Sequence, residues 1–118
     1  MRARREIKAK IYDELYRGED QLKQFVWIDC GNDNDFGQVI VTKLDAKNCD
    51  SKNYFDYFPD AEDNENTPSC SMAEALTKQD LYVNAFCATI AVNQLWKLIN
   101  GKETSNITRF NLTKNLMK

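Results

Sequence analysis

Histidine is absent from this 118-residue sequence, and glycine and proline are scarce, at four and two residues. Without histidine the chain cannot contain a Ser-His or Cys-His catalytic pair, so any general base must be Asp, Glu, Lys or Tyr. The glycines lie at positions 18, 31, 37 and 101, and no two are closer than six residues. No segment therefore offers the glycine-rich strand-to-helix turn that cradles nucleotide phosphates.

The sequence also lacks long apolar runs and a strong net charge. No run approaches the roughly 18 apolar residues that a membrane-spanning helix needs. The basic start, MRARREIKAK, has no apolar segment behind it, which is not the pattern of a secretory signal. The net charge is −2 and the pI is about 5.1, so bulk charge does not indicate nucleic-acid binding. We expect a cytoplasmic protein that binds neither membrane nor nucleic acid.

Four cysteines are present, and none belongs to a C-x-x-C pair. Because zinc sites usually draw on two such pairs or on histidine, the sequence predicts no metal site. In a cytosol the cysteines are expected to be reduced thiols. They are Cys30, Cys49, Cys70 and Cys87.

The first predicted element is a helix over residues 3–17. It is indicated by three apolar residues spaced four apart, namely Ile7, Ile11 and Leu15. Three basic residues lie at its N-terminal end: Arg2, Arg4 and Arg5. The helix dipole favours acidic side chains at that end, so this placement is unfavourable. Two interpretations are open: the natural lead-in of the helix is missing, or the arginines hold an anion.

Two strands are predicted next. FVWIDC (25–30) is rich in β-branched and aromatic residues, GNDNDFG (31–37) is typical of a turn, and QVIVTKL (38–44) predicts the second strand. A short loop between two strands favours an antiparallel hairpin. Asp29 and Asn32 flank the end of the first strand, where they either present polar groups to a ligand or cap the turn.

Residues 45–68 predict a long acidic loop. Asp, Glu, Asn and Ser dominate it, and a segment of this length without periodicity is usually functional or mobile. Its middle carries four aromatic residues that we expect to hold it against the body of the protein: Tyr54, Phe55, Tyr57 and Phe58.

The strongest predicted helix covers residues 80–100. It is apolar nearly all round, which predicts burial against a sheet. One face is marked by Leu81, Ala85, Ala88, Val92, Leu95 and Ile99. A capping-box pattern, Ser71 to Glu74, predicts a helix start near residue 72, and Gly101 is expected to end the helix. The side chains of residues 106–113 alternate in the manner of a strand, which predicts the last strand of the chain.

These elements predict an α+β fold. A small, mostly antiparallel sheet packs with one long buried helix and an N-terminal helix, in a single domain over residues 1–118.

Cys70 is the candidate thiol nucleophile. It ends the loop in Thr67-Pro68-Ser69-Cys70-Ser71, just before the predicted helix start, where the dipole and backbone N–H groups stabilise a thiolate. The alternative is a small residue in a helix lead-in. Cys30 and Cys87 lie in apolar segments and are expected to be buried and less reactive.

Two long segments resemble the back half of the ThiF/MoeB/HesA family of ubiquitin-activating-like adenylating enzymes. They are FVWIDCGNDNDFGQVIVTKL (25–44) and TPSCSMAEALTKQDLYVNAFCATIAVNQLWKLINGK (67–102). The motifs that carry the resemblance are Gly37-Gln38-Val39, Pro68-Ser69-Cys70-Ser71, Ala73-Glu74-Ala75-Leu76, Gln79-Asp80-Leu81 and Val83-Asn84. Because it lacks the zinc-binding cysteines, the chain more closely resembles the ThiF-like proteins of the bacterial PRTRC gene cluster than MoeB and ThiF proper.

The resemblance implies a fragment of a larger ThiF-like adenylating domain, the C-terminal half of its α/β fold without the ATP-binding half. The family is ATP-dependent, so ATP and Mg are expected only for the intact protein, and this chain alone is expected to be inactive. It would contribute partner binding and dimerisation. The alternative is a stand-alone, non-catalytic protein-interaction domain.

The resemblance also implies roles for individual residues. Arg4 or Arg5 would match the arginine of the family's Asp-x-x-x-x-Arg element and so be nucleotide-binding. The alternative is that these arginines form a solvated basic end of the helix. Cys70 would form the covalent link to a small ubiquitin-like or sulfur-carrier protein. The expected assembly is a homo-oligomer.

Overall fold

The computed structural model describes residues 2–17, 24–32, 35–45, 51–59 and 82–117. Their order confirms the α+β class. The elements are α1 (Arg2–Arg17), β1 (Gln24–Asn32), β2 (Phe36–Asp45), α2 (Tyr54–Tyr57), α3 (Val83–Ile99), β3 (Ile107–Asn111) and β4 (Leu116–Met117). The sheet has the order β1-β2-β3-β4, and β3 is antiparallel to both β2 and β4.

The chain forms two compact units, and both β1 and β2 run from one into the other. The first unit comprises Met1–Trp27 and Thr42–Pro68, and the second comprises Ile28–Val41 and Ser69–Lys118.

Strand β2 is buried on both faces. Val39, Ile40, Val41 and Thr42 are each at most 1% exposed, and consecutive side chains of a strand point to opposite sides. A strand that alternates apolar and polar residues would have one face in water, whereas this buried run, apolar except for Thr42, is typical of a strand covered on both sides.

In the first unit, α1 confirms the predicted helix. Two exposed i,i+4 ion pairs run along it, from Arg2 to Glu6 at 3.1 Å and from Arg17 to Asp13 at 2.9 Å. Exposed pairs of this kind contribute only about 0.3–0.5 kcal/mol each. Burial of Leu15 at the C-terminal end of the helix is therefore the larger stabilising contribution.

A one-turn helix, α2, lies inside the segment predicted as a long acidic loop. Asn53 caps it: its side-chain oxygen accepts from the Phe55 N–H at 2.9 Å, and the Asp56 carboxylate accepts from the Asn53 N–H at 2.8 Å. The Asn53 amide also donates to the Tyr12 hydroxyl at 3.2 Å. The aromatic middle of the loop is thus attached to α1 through a capping residue. Residues 46–50 and 60–68 lie outside the described part of the chain.

The strands extend into residues predicted as a turn. Gly31 belongs to β1, and Gly37 belongs to β2. A Cβ atom at Gly37 would lie 2.7 Å from the Gly31 carbonyl oxygen and 2.8 Å from the ring of Phe110. The prediction of a turn over 31–37 was therefore wrong at both ends, because this glycine permits close packing within the sheet.

In the second unit, α3 packs on the sheet through one face only. The hydrophobic core of the second unit consists of Val39, Val83, Cys87, Ile90 and Phe110. Phe86 contacts Phe110 edge to face, with ring centroids 4.8 Å apart. The prediction of a helix buried nearly all round was wrong, because its opposite face is exposed.

Gly101 ends α3 as predicted. It has a φ of 66°, its N–H donates to the Leu98 carbonyl at 3.2 Å, and the Lys102 N–H donates to the Lys97 carbonyl at 2.8 Å. This pair of bonds is the Schellman motif, in which a left-handed residue satisfies the last carbonyls of a helix. The following strand, β3, buries Thr108 and Phe110, but it ends at Asn111 and not at residue 113 as predicted.

Gly37→Ala is expected to lower the free energy of unfolding by about 1–3 kcal/mol, because the added methyl overpacks a site bounded partly by backbone. Urea denaturation would measure the loss. The control is Gly101→Asn: asparagine tolerates the left-handed conformation, and nothing lies within 4 Å of its Cβ position. Equal stabilities of Gly37→Ala and the wild type would contradict the packing at Gly37.

Candidate functional site

A cleft in the first unit brings together basic and aromatic side chains. It has a volume of about 440 Å³ and is open to solvent. Its lining consists of Arg5, Lys8, Ala9, Tyr12 and Phe55. Four of these residues come from α1 and one from α2, so the cleft lies between the two helices.

The spacing of residues along α1 explains this lining. Residues four apart lie on the same side of a helix, which aligns Arg4, Lys8 and Tyr12 in one row and Arg5 and Ala9 in a neighbouring row. The two rows together present cations at the N-terminal end and a phenol ring further along. Sequence reasoning selected the arginines but missed Lys8, Tyr12 and Phe55. The i,i+4 spacing was a signal for Lys8 and Tyr12.

The cations of α1 lie over aromatic rings. The Arg4 guanidinium carbon is 3.9 Å from the centroid of the Tyr54 ring. The Lys8 ammonium is 5.2 Å from the Phe55 ring and 6.0 Å from the Tyr12 ring. Cation–π contacts within about 6 Å contribute roughly 0.5–1 kcal/mol at exposed sites. They offset the unfavourable placement of positive charge at a helix N-terminus.

Asn53 fixes the two walls of the cleft. It is 2% exposed, and it makes the α2 cap and the hydrogen bond to Tyr12 with one side chain. A buried amide left without partners would cost about 1–3 kcal/mol, so the bonded arrangement is strongly preferred. Tyr12 and Phe55 are therefore held by a shared buried polar group.

The end of β1 joins the start of α3 through side chains. The Asn32 amide donates to the Asn84 side-chain oxygen. Asp29 is buried at 6% exposure. Of the two interpretations of Asp29 and Asn32, the structural one fits these positions better, because one side chain is buried and the other bonds within the protein.

The two described cysteines form a neighbouring pair with opposite exposure. Cys87 is 1% exposed and donates to the Gln38 carbonyl at 3.6 Å. Cys30 is exposed, so the prediction that it is buried was wrong. Trp27 and Asp29 are the buried residues of β1, and Cys30, which follows Asp29, points to the opposite face of the strand. Cys49 and Cys70, the candidate nucleophile, lie outside the described residues.

Burial makes Cys87 unreactive. Loss of solvent, followed by the adjacent Cys30 thiol, raises the pKa of Cys87 from its ordinary 9.0 to about 12. Because the thiolate is the nucleophile, a thiol with this pKa is inert at neutral pH. Cys87 belongs to the core.

The folded protein is expected to lose stability as the pH rises above 9, because the unfolded chain ionises Cys87 before the folded chain does. This stability is fully present below pH 9 and is lost progressively up to about pH 12. At pH 10.5 the loss attributable to Cys87 should be about 2 kcal/mol. It is measured by urea denaturation at pH 8 and pH 10.5.

The control for this measurement is Cys87→Ala, which cannot ionise at this position and keeps every other side chain that titrates at alkaline pH. The variant should be less stable than the wild type at pH 8 but lose less stability towards pH 10.5. Parallel losses in the two proteins would contradict the raised pKa.

A second candidate surface is the exposed face of α3, here called the α3 outer face. It consists of Ala85, Ala88, Val92, Leu95, Trp96 and Ile99. Val92, Leu95 and Ile99 expose 65%, 46% and 75% of their area. It lies opposite the buried residues of the helix, which are Val83, Cys87, Ile90 and Gln94.

Side-chain contacts on other parts of α3 and at its C-terminal end hold the helix in place. The Gln94 side-chain oxygen, buried on the other side of the helix, accepts from the Ser105 N–H at 3.0 Å. The Asn100 amide donates to the Trp96 carbonyl at 2.8 Å, and the Lys102 ammonium lies 4.9 Å from the Trp96 ring. The helix is thus anchored on one side while a large apolar surface faces solvent on the other.

Neither a cluster of metal-ligand side chains nor a membrane-spanning helix is found in the described part of the chain. No group of three or more Cys, Asp or Glu side chains there could hold a metal ion. None of the helices described has the length and apolar character required to cross a membrane.

Comparison with known proteins finds no matching family model, curated protein or solved structure.

Proposed function

We propose that this chain is a protein-interaction domain that pairs with a second copy of itself through the α3 outer face. The observation that carries the proposal is the spacing of that face. Ala85, Ala88, Val92, Leu95 and Ile99 follow one another at intervals of three, four, three and four residues. This is the a/d spacing of a coiled-coil seam, which a second helix covers by knobs-into-holes packing.

The charges of α3 favour a second copy over a charged partner. Lys97 is the only charged residue of this helix, and it lies away from the seam. The positions that flank a coiled-coil seam usually select the partner by charge. Here they are Asn84, Thr89, Ala91, Trp96 and Leu98. Two copies of the face meet without like-charge repulsion, whereas an acidic or basic partner gains no ion pair.

Small residues at one end of the seam allow close approach. Ala85 and Ala88 let a neighbouring backbone come near, while Leu95, Trp96 and Ile99 supply apolar area at the other end. Large exposed apolar patches on soluble proteins commonly mark interaction sites. A seam of four turns supports a modest dimer, with dissociation in the micromolar range.

Val92→Glu is expected to abolish self-association, because it places a carboxylate at the centre of the apolar seam. Sedimentation velocity at roughly 10–100 micromolar should show dimer for the wild type and monomer for the variant. The side chain is 65% exposed, so the monomer should remain folded.

Asn93→Glu is the matched control. It adds the same charge at the adjacent exposed position of α3, outside the seam, and should leave the dimer intact. A wild-type monomer throughout this range would overturn the proposal. Equal loss of dimer in both variants would show that added negative charge anywhere on α3 prevents pairing, and would contradict pairing through the seam.

The second candidate function is that of the ThiF-like family, and we propose it from the sequence motifs. Dimer formation agrees with what that resemblance implies. Two of its motifs fall among the described residues: Gly37 packs closely against Phe110, and Asn84 bonds to Asn32. Under this proposal the chain is the partner-binding part of an ATP-dependent adenylating enzyme, and Cys70 receives the C-terminal tail of a small ubiquitin-like or sulfur-carrier protein.

Reactivity of Cys70 distinguishes this candidate from a stand-alone interaction domain. If Cys70 is a thiol activated by the predicted helix start, it should alkylate faster than Cys49 at pH 7, because the acidic sequence around Cys49 disfavours its thiolate. Mass spectrometry after brief iodoacetamide treatment ranks the thiols. Labelling of Cys70 no faster than Cys49 would remove the nucleophile and favour the stand-alone domain.

A further inference from the structure

We propose that Cys30 and Cys87 form a peroxide-responsive thiol pair, in which a hydroperoxide oxidises the exposed Cys30 thiol and the buried Cys87 thiol then closes a reversible disulfide. Both residues belong to the second unit, within Ile28–Val41 and Ser69–Lys118. The proposal does not depend on self-association, because Cys87 is a buried residue of α3 and lies opposite the α3 outer face.

Contacts between β1 and α3 bring the two cysteines together. The Asn32 amide donates to the Asn84 side-chain oxygen. Cys30 lies two residues before Asn32, on the same face of the strand. Cys87 lies three residues after Asn84, on the same side of the helix. Ile28, also on that face of β1, packs against the core that contains Cys87. The two thiols therefore face each other across one interface, and a side-chain hydrogen bond joins them.

The two thiols differ in their access to solvent. Cys30 is exposed, whereas Cys87 is 1% exposed and donates to the Gln38 carbonyl. A peroxide dissolved in water therefore meets Cys30 first. Burial also raises the pKa of Cys87 and keeps this thiol protonated, while the thiolate is the form that attacks a peroxide. Cys30 is thus oxidised first, and Cys87 reacts second.

The two steps need no oxidant besides the peroxide. In the first, the Cys30 sulfur attacks the peroxide, the O–O bond breaks, and the products are a Cys30 sulfenic acid and water. Sulfur loses the two electrons that the peroxide gains. In the second, the Cys87 sulfur attacks the sulfenic sulfur, an S–S bond forms, and the S–O bond breaks. The Cys87 proton leaves with the hydroxide as a second water.

Cys87 can carry out this second step although it is inert towards reagents in solution. The sulfenic acid forms beside it, so the reaction is intramolecular, and well-placed groups react at effective concentrations far above those of dissolved thiols. The resulting disulfide links the end of β1 to α3. A dithiol reduces it again by thiol–disulfide exchange.

Peptide mapping after peroxide treatment tests the proposal on the full chain. Trypsin places all four cysteines on separate peptides, because it cleaves after Lys43, Lys47, Lys52 and Lys78. The reduced protein is treated briefly with hydrogen peroxide, its remaining thiols are blocked, and linked peptides are identified by mass spectrometry. Peptides 24–43 and 79–97 should be linked about tenfold more often than any other pair, because the fold holds their thiols side by side. Dithiothreitol should reverse the link.

The same treatment in concentrated urea is the matched control for the geometry. Unfolding separates β1 from α3, so the excess of this link should disappear. An equal excess in urea would overturn the proposal. So would a folded protein in which Cys30 pairs mainly with another cysteine, or is oxidised to sulfinic acid without forming a link.

Cys87→Ala separates the two steps. Without its partner, Cys30 should stop at the sulfenic acid, which dimedone traps on peptide 24–43, and trapping should be about tenfold greater than in the wild type. Cys49→Ser removes a thiol outside the pair and should leave the Cys30–Cys87 link unchanged. Equal trapping at Cys30 in the wild type and Cys87→Ala would contradict the role of Cys87. If Cys87→Ala is unfolded by circular dichroism, the wild-type maps with and without urea decide.

Discussion

The constraint on which the structure depends is the burial of β2 on both faces. Four consecutive side chains of this strand are removed from water, so each of its faces must be covered, which no single layer can do. On one face Val39 packs with α3 and Phe110. On the other, Ile40, Thr42 and Leu44 are buried, and Thr42 donates to the Lys52 carbonyl at 2.9 Å. The strand runs through both units, so each of them is built around part of the same apolar segment.

Local sequence patterns were sufficient to predict most elements of the fold. The spacing of Ile7, Ile11 and Leu15 predicted α1, and Gly101 correctly marked the end of α3 because a left-handed residue is a local requirement. The turn over 31–37 was misplaced because the role of Gly37 depends on Phe110, a residue distant in the chain. A glycine that permits packing and a glycine that forms a turn look the same in a sequence.

The burial of α3 was overestimated for a related reason. A helix that is apolar all round has two apolar faces, and composition does not reveal whether the same chain covers both. The heptad spacing of Ala85, Ala88, Val92, Leu95 and Ile99 separates the two faces. The buried residues Val83, Cys87, Ile90 and Gln94 all fall on the other side of the helix. The cleft was only partly predictable: α1 shows its row of cations, but Phe55 arrives from a segment that lacks periodicity and owes its helical turn to Asn53.

The single turn of α2 has a consequence for how ligands and folding are linked. A helix this short is not stable by itself in water, because the free-energy cost of nucleating it exceeds the stabilisation from the hydrogen bonds of a single turn. Its order comes from Asn53, which requires α1 to be in place, and the wall of the cleft that Phe55 provides exists only while this bond holds. The amides of α2 should therefore exchange with solvent as one small cooperative group, at a free energy below that of global unfolding. Any molecule bound against Phe55 draws on that same equilibrium, so occupancy of the cleft would slow hydrogen exchange of the α2 amides.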